Sequence, residues 1–125
     1  MSSGHDDLLR FVAASFPSVW ALELLLTLKD DRRAWPHDDL VAKLRASELV
    51  VSKALEGLVV AGLASVDARG ATYSPVNSEV DSTIERVEQL YRRRPNAVRR
   101  AIVSAQTGSA AAFADAFKLR RNDND

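Results

Sequence analysis

Apolar residues recur along most of this chain with the spacing of one helix face, and the spacing shortens over one central stretch. The longer period predicts helices with a buried stripe, and the partly alternating stretch predicts short strands. The predicted helices cover His5–Ser15, Ser18–Lys29, Pro36–Arg45, Ser47–Ala61 and Ser78–Arg94, and another begins at Pro95. The predicted β-hairpin pairs Leu63–Asp67 with Ala71–Pro75 around Ala68-Arg69-Gly70. The pattern therefore indicates a mainly α-helical protein with a small β-hairpin.

Capping residues support these boundaries. Ser18 and Ser47 each precede a helix, where a hydroxyl accepts a hydrogen bond from a backbone N–H that has no partner inside the helix. Gly62 follows the fourth helix and is typical of a helix end. The second helix is apolar around nearly its whole circumference, so we expect other helices or a partner subunit to cover more than one of its sides.

Breaks in the pattern divide the chain into four regions. They are an N-terminal flanking helix (1–17), a central unit with the hairpin (18–76), C-terminal helices that pack or dimerise (77–121) and a disordered tail (122–125). Phe113 and Phe117 lie four residues apart and predict the last helix of the third region.

Composition narrows the classes of protein that fit this pattern. The chain is 46% hydrophobic and 27% charged, which is typical of a globular domain. It has no cysteine, which excludes disulfides, thiolate catalysis and cysteine-based metal sites. No apolar run approaches the roughly 20 residues that cross a bilayer, and the acidic N-terminus does not resemble a secretory signal. We therefore expect a cytoplasmic protein without a membrane segment.

The net charge is zero, but the charges are unevenly distributed. Residues 1–76 contain eight Lys and Arg against ten Asp and Glu, and residues 77–125 contain nine against seven. The basic residues of the second part gather in Arg92-Arg93-Arg94, Arg99-Arg100, Lys118 and Arg120-Arg121. They fit either a nucleic-acid contact or a solvated helix end, and the second interpretation is favoured because consecutive arginines point in different directions around a helix.

Sites for metal binding or catalysis receive little support. His-Asp-Asp-Leu occurs twice, at His5 and at His37, and imidazole with carboxylate is a metal-ligand set. Both copies lie at a helix start, where acidic residues interact favourably with the helix dipole, so capping is the preferred interpretation. Nucleophile elbows, phosphate-binding glycine loops and metalloprotease motifs are absent from the sequence. We therefore expect no enzymatic activity, no cofactor and no metal.

One stretch carries a family resemblance. Asp39-Leu-Val-Ala-Lys-Leu, the turn Arg45-Ala46, the helix Ser47–Ala61 and then Gly62-Leu63 follow one another. Over Ser18–Pro75 this order resembles the winged helix-turn-helix of MarR-like bacterial transcriptional regulators. The resemblance implies a winged-helix domain at 18–76 with flanking N- and C-terminal helices, in which Ser47–Ala61 is the recognition helix.

What the resemblance implies for function is binding of double-stranded DNA by a homodimeric regulator. The recognition helix would enter the major groove, and the wing would contact phosphate. Dimerisation would involve the apolar helix around Trp20 and the late helices. The implied DNA-binding residues are Arg45, Ser47, Ser52, Lys53 and Arg69, and the expected core side of the recognition helix is Val51, Leu55 and Leu58.

The recognition helix also departs from the usual pattern. Glu48 and Glu56 would lie near phosphates, and Leu49 and Val50 replace polar residues expected near the groove. These residues favour an alternative from another class of function. In it the same fold is a protein–protein interaction module that does not bind DNA, and Leu49 and Val50 contact the partner.

Overall fold

The protein is mainly helical, with a small antiparallel sheet after the fourth helix. The computed structural model describes residues 3–105, with side chains from Asp6 onward. Within that part of the chain there are six helices and two strands, which confirms the predicted mainly α class with one hairpin. In order they are α1 (Ser3–Ser15), α2 (Val19–Asp30), α3 (His37–Leu44), α4 (Glu48–Val60), β1 (Ala64–Asp67), β2 (Gly70–Tyr73), α5 (Ser78–Arg93) and α6 (95–105).

Several sequence predictions concern residues outside 3–105, the part of the chain that the structure describes. The helix predicted around Phe113 and Phe117 lies outside it. The same holds for the basic residues Lys118 and Arg120-Arg121 and for the tail at 122–125.

The helix boundaries follow from capping side chains. Ser18 Oγ accepts a hydrogen bond from the backbone N–H three residues ahead at 3.2 Å, and Ser47 Oγ does the same at 3.1 Å. Both predicted caps are confirmed. Asn77 caps α5 in the same way at 2.8 Å, which the sequence analysis did not identify. Gly62 follows α4 at φ 77°, a backbone conformation that favours glycine.

The core is built around α2. Leu22, Leu24, Leu25 and Leu28 of this helix are fully buried, and burial of each contributes roughly 1.5–3 kcal/mol. Helices α3 and α4 and strand β2 pack against α2, so the expected cover on several sides comes from the same chain. The flanking helices add further residues to this one core: Val12, Phe16, Ile84, Val87, Leu90, Val98 and Ile102.

The hairpin is one residue tighter than predicted. Gly70, expected in the turn, is the first residue of β2 and lies opposite Asp67. Ala68 and Arg69 alone form the turn. The Asp67 carboxylate accepts a hydrogen bond from the Arg69 backbone N–H at 2.8 Å, and this bond stabilises the reversal of the chain.

A third segment pairs with the hairpin. Trp35, between α2 and α3, forms an antiparallel bridge with Ala71, with two backbone N···O distances of 2.8 and 2.9 Å. The indole Nε1 of Trp35 donates to the carbonyl oxygen of Asp31 at 2.9 Å. A Cβ at Gly70 would lie 2.2 Å from the Trp35 carbonyl oxygen. The approach of these two backbones therefore requires glycine, a role that the sequence analysis did not assign.

The length and hydrophobicity of a helix decide whether it can cross a membrane. No single helix within residues 3–105 is both long and apolar enough to cross a membrane. Asp6–Ser15 and Val19–Asp30 reach that length and composition only as a pair, and the break between them is bent by 99°.

Candidate functional site

The connection between α3 and α4 is a short turn with a defined backbone. Arg45 follows α3 at φ 54° and ψ 41°, in the left-handed region, and its N–H donates to the carbonyl oxygen of Val41. Few residues other than glycine adopt this conformation. Ala46 then leads to Ser47, which caps α4. Two helices thus follow each other with a sharp change of direction, and the side chain of Arg45 is exposed at the turn.

Helix α4 has one buried face and one open face. Val51, Ala54 and Leu58 are buried, which confirms the predicted core side for Val51 and Leu58, while Leu55 is half-buried. The opposite face is exposed along the whole helix, at Glu48, Leu49, Ser52, Lys53, Glu56, Val59 and Val60.

The five residues that the resemblance assigns to DNA are all exposed, but they do not form one continuous patch. Ser52 lies beside the hairpin, because it lines a depression of about 380 Å³ together with Val66 of β1. Lys53 lines a separate groove on the other flank of α4. Ser47 uses its hydroxyl as a cap. Arg69 lies at the hairpin tip and pairs with Asp67 at 3.5 Å.

The groove on the Lys53 flank is apolar. Its volume is about 720 Å³, and it runs between α4 and the start of α2. Leu49 is 66% exposed, Val60 84% and Trp20 40%. The residues of α2 and α4 that line the groove are Trp20, Leu49, Val50, Lys53, Ala54, Glu56, Gly57 and Val60. The two residues of the alternative interpretation, Leu49 and Val50, therefore lie here together.

Sequence reasoning missed the exposure of Val60 and Trp20. Val60 lies eleven residues after Leu49 on the same helix, which is about three turns, so the helical period alone would have placed both on one face. Trp20 had been interpreted as a core or interface aromatic. Its partial exposure at the mouth of the groove is consistent with the second of these roles.

The charges on the open face of α4 are unpaired. Among the described residues, Glu48, Lys53 and Glu56 have no ion-pair or hydrogen-bond partner for their side chains. The hairpin differs, because the Arg69 backbone N–H holds the pKa of the Asp67 carboxyl below its usual value. The open face thus combines exposed apolar groups with charges of both signs that are free to interact.

A second cluster of charged residues joins α2 to α5 and is closed. Lys29 Nζ donates to Glu85 Oε2 and Glu88 Oε1, both at 2.8 Å. The side chain of Lys29 is 8% exposed and that of Glu88 is 11% exposed. Arg92 binds the second oxygen of Glu88 at 3.1 Å. Burial lowers the pKa of Lys29, but the two carboxylates outweigh it and the pKa is raised overall, so Lys29 stays charged.

Two tyrosines form hydrogen bonds with carboxylates near this cluster. Tyr73 Oη donates to Asp81 Oδ1 at 2.5 Å, and Tyr91 Oη donates to the Glu23 carboxylate. Burial, and then the hydrogen bonds to the carboxylates, raise the pKa of both phenols. Arg99 lies over the Tyr91 ring at 5.4 Å. Within the described residues no buried side-chain nitrogen or oxygen lacks a partner.

The arginine cluster of the C-terminal half is partly used inside the protein. Arg92 pairs with Glu88 and Arg99 contacts Tyr91. Arg93, Arg94 and Arg100 are exposed. Arg92 and Arg99 therefore take part in packing, whereas the exposure of Arg93, Arg94 and Arg100 fits both a solvated helix end and a nucleic-acid contact.

The repeated His-Asp-Asp-Leu motif lies at helix starts, as predicted. Asp38 and Asp39 occupy the first turn of α3, and Asp6 occupies the first turn of α1. In the part of the chain that the structure describes, no group of three or more His, Cys, Asp or Glu residues is placed to hold a metal ion.

Comparison of the chain with protein-family models, with curated proteins and with solved structures gives no match.

Proposed function

We propose that this chain is a winged-helix protein that binds double-stranded DNA in the cytoplasm as a transcriptional regulator. The observation that carries the proposal is the order of elements around α4. A short helix, a two-residue turn, a capped helix with an open face and a two-stranded hairpin follow one another. The bridge between Trp35 and Ala71 ties the segment before α3 to the hairpin. Helix-turn-helix proteins place the second of two such helices in the major groove of DNA.

The proposed contacts divide into base and phosphate contacts. Ser52 and Lys53 project from the open face of α4, where a helix in the major groove reaches base edges. We assign phosphate contacts to Arg45 at the turn and to Arg69 at the hairpin tip, because both are exposed cations. The hydroxyl of Ser47 is occupied as the cap of α4. We therefore assign the phosphate contact of Ser47 to its backbone N–H at the start of the helix.

Titration of the pure protein into a fluorescent random duplex of about two helical turns tests the proposal. We expect binding at low salt. The logarithm of the binding constant should fall linearly with the logarithm of the salt concentration, because Lys and Arg side chains that contact phosphates release counterions from DNA. Lys53→Ala should weaken binding, and Arg69→Ala, which removes a proposed phosphate contact, should also lower the salt slope by about one. Arg86→Ala is the matched control, since Arg86 is an exposed cation on α5 and its loss should leave the slope unchanged. Absence of binding at low salt from folded protein would overturn the proposal.

A second function is favoured by the apolar groove beside α4. Exposed Leu49 and Val60 give the recognition helix an apolar surface that DNA does not require, and such patches mark protein contacts. In this alternative the fold is a protein–protein interaction module. Leu49→Ser should then abolish binding of the partner, while Lys53→Ala should have little effect.

The two functions predict opposite orders for the same pair of variants. For DNA, Lys53→Ala is the damaging change and Leu49→Ser is nearly neutral. Val76→Ser is the control for Leu49→Ser, because Val76 is 69% exposed and lies outside the groove.

A further inference from the structure

The outermost line of α4 has the spacing of a helix-pairing seam. Leu49, Lys53, Glu56 and Val60 are separated by four, three and four residues, and they lie opposite the buried Val51 and Leu58. Spacings of four and three in alternation keep side chains on the line where one helix meets another. We call these four residues the α4 stripe. All four are exposed.

The α4 stripe is complementary to itself when reversed. If a second copy runs antiparallel and is centred between residues 54 and 55, Leu49 of one copy meets Val60 of the other. In the same register Lys53 meets Glu56, and each of these contacts occurs twice. A two-fold axis requires this reciprocity, because residue i contacts j and j contacts i. The apolar residues then lie at both ends and two ion pairs lie in the middle.

The charges select this orientation over a parallel one. In a parallel two-fold pair Lys53 would meet Lys53 and Glu56 would meet Glu56, which is repulsive. Lys53 and Glu56 have no partner among the described residues, so a second copy supplies the opposite charge that each lacks. A uniformly acidic or basic partner would satisfy only one of them.

We propose that a second copy of this chain docks on the α4 stripe, antiparallel and related by a two-fold axis. Trp20, which lines the same groove as Leu49 and Val60, extends the apolar contact onto α2. The stripe spans about 17 Å of helix, so the interface is smaller than the roughly 800 Å² per partner of a standard stable complex. Association is therefore weak and depends on protein concentration.

The dimer has a consequence that rests on the proposed DNA-binding function. It covers Lys53 and the face of α4 that would enter the major groove. Self-association and DNA binding then exclude each other, and a high protein concentration without DNA favours the occluded form.

A charge-swap experiment tests the dimer without DNA. Sedimentation equilibrium is run from about 10 μM to about 1 mM on the full chain. The wild type should dimerise in this range. Lys53→Glu places two acidic residues opposite each other at both contacts, and Glu56→Lys places two basic residues there, so each variant alone should associate at least about tenfold more weakly.

The decisive sample is an equimolar mixture of the two variants. Every contact between a Lys53→Glu copy and a Glu56→Lys copy joins opposite charges, so the mixture should regain dimers although neither component forms them. Arg86→Glu, a charge reversal on α5, is the control and should dimerise like the wild type. A monomeric wild type at the highest concentration, single variants that dimerise normally, or a mixture that stays monomeric would each overturn the proposal.

The same variants separate this proposal from DNA binding. Both single variants weaken the dimer, whereas Lys53→Glu should weaken and Glu56→Lys should strengthen binding to the random duplex, since DNA attracts added positive charge. Failure of the mixing result with a normal DNA titration rejects the dimer alone. Normal mixing without any DNA binding rejects the DNA function alone.

Discussion

Lys29 and Lys53 lie on two helices that pack against each other, and their surroundings are opposite. Lys29 on α2 is buried and holds two carboxylates of α5 at 2.8 Å. Lys53 on α4 is exposed and faces the groove, without an ion-pair partner among the described residues. The first lysine belongs to a closed region formed by α2, α5 and the hairpin. The second belongs to the open face of α4.

The difference separates what stabilises the fold from what is available to a partner. A buried charge must be paired, because an unpaired one carries a large desolvation penalty, so the contacts of Lys29 are dictated by folding. An exposed charge has no such requirement, and an exposed ion pair contributes little to stability. Leu49 and Val60 beside Lys53 are 66% and 84% exposed and add little to the free energy of folding of one copy. Folding therefore depends on contacts such as those of Lys29, and the open face of α4 is the surface on which the proposed functions rest.

The largest expected effect follows from breaking the closed region. Lys29→Ala removes the cation and leaves Glu88, 11% exposed, with only Arg92 as a partner. Loss of one member of a buried ion pair destabilises a protein by about 3–5 kcal/mol. Thermal and urea unfolding measure this loss. The double variant Lys29→Met with Glu88→Met should recover most of it, because an apolar pair leaves no buried charge. If Lys29→Ala lowers the free energy of unfolding by less than about 1 kcal/mol, the ion pairs of Lys29 contribute no more than those of an exposed lysine, and the prediction is wrong.

A smaller effect is expected at the edge of the closed region. Gly70→Ala puts a Cβ against the carbonyl oxygen of Trp35 and forces a left-handed backbone on alanine, since Gly70 has φ 136°. We expect destabilisation of about 1–3 kcal/mol from backbone strain, together with opening of the bridge to Ala71. Amide hydrogen exchange at Trp35 and Ala71 measures the opening. Ala68→Gly in the same turn is the control, and unchanged exchange in Gly70→Ala would contradict the close approach.

Alkaline pH should also weaken the closed region. The pKa values of Lys29, Tyr73 and Tyr91 are all raised, so the native state keeps these protons where the unfolded chain releases them. Their stabilisation is complete below the unfolded values of about 10 and is lost as pH rises through the folded values. The free energy of unfolding should therefore decline above about pH 10. Urea unfolding from neutral to alkaline pH measures the decline.

The control for the alkaline effect removes the phenols. In Tyr73→Phe with Tyr91→Phe the decline should be shallower, even if the stability at neutral pH is lower. A free energy of unfolding that rises over the same pH interval would contradict the assigned direction of all three pKa shifts.

Much of the fold was predictable because it depends on local signals. Ser18 and Ser47 predicted helix starts because a hydroxyl at that position caps a helix, and the structure contains both capping hydrogen bonds. The helical period separated Val51 and Leu58 from the open face of α4. The contacts that were missed are long-range. Trp35 pairs through its backbone with a residue 36 positions later, and Lys29 binds Glu88 across 59 positions. Neither contact has a signature in the neighbouring sequence.

The candidate site was predictable to a similar depth. The exposure of Glu48, Leu49, Ser52, Lys53 and Glu56 followed from periodicity, which assigns a face without tertiary information, whereas the exposure of Val60 was missed. That Ser52 lies on the hairpin flank and Lys53 on the groove flank depends on how α4 is rotated against α2 and β1. Trp20 belongs to the groove because Pro17 and Ser18 bring the start of α2 beside α4. That proximity is a property of packing.

The smallest expected change in the free energy of unfolding is for substitutions on the open face of α4. It is also the most direct test of the contrast between Lys29 and Lys53. Leu49→Ser, Lys53→Ala and Glu56→Ala should each change the free energy of unfolding by no more than about 0.5 kcal/mol, because exposed side chains without partners contribute little. Urea unfolding at a dilute concentration, where the chain is monomeric, measures this. Leu25→Ala is the matched control, since Leu25 is fully buried and its truncation costs about 2–5 kcal/mol. A loss above about 1 kcal/mol for any of the three would mean that α4 is stabilised by contacts on its open face, and the division between the two lysines would fail.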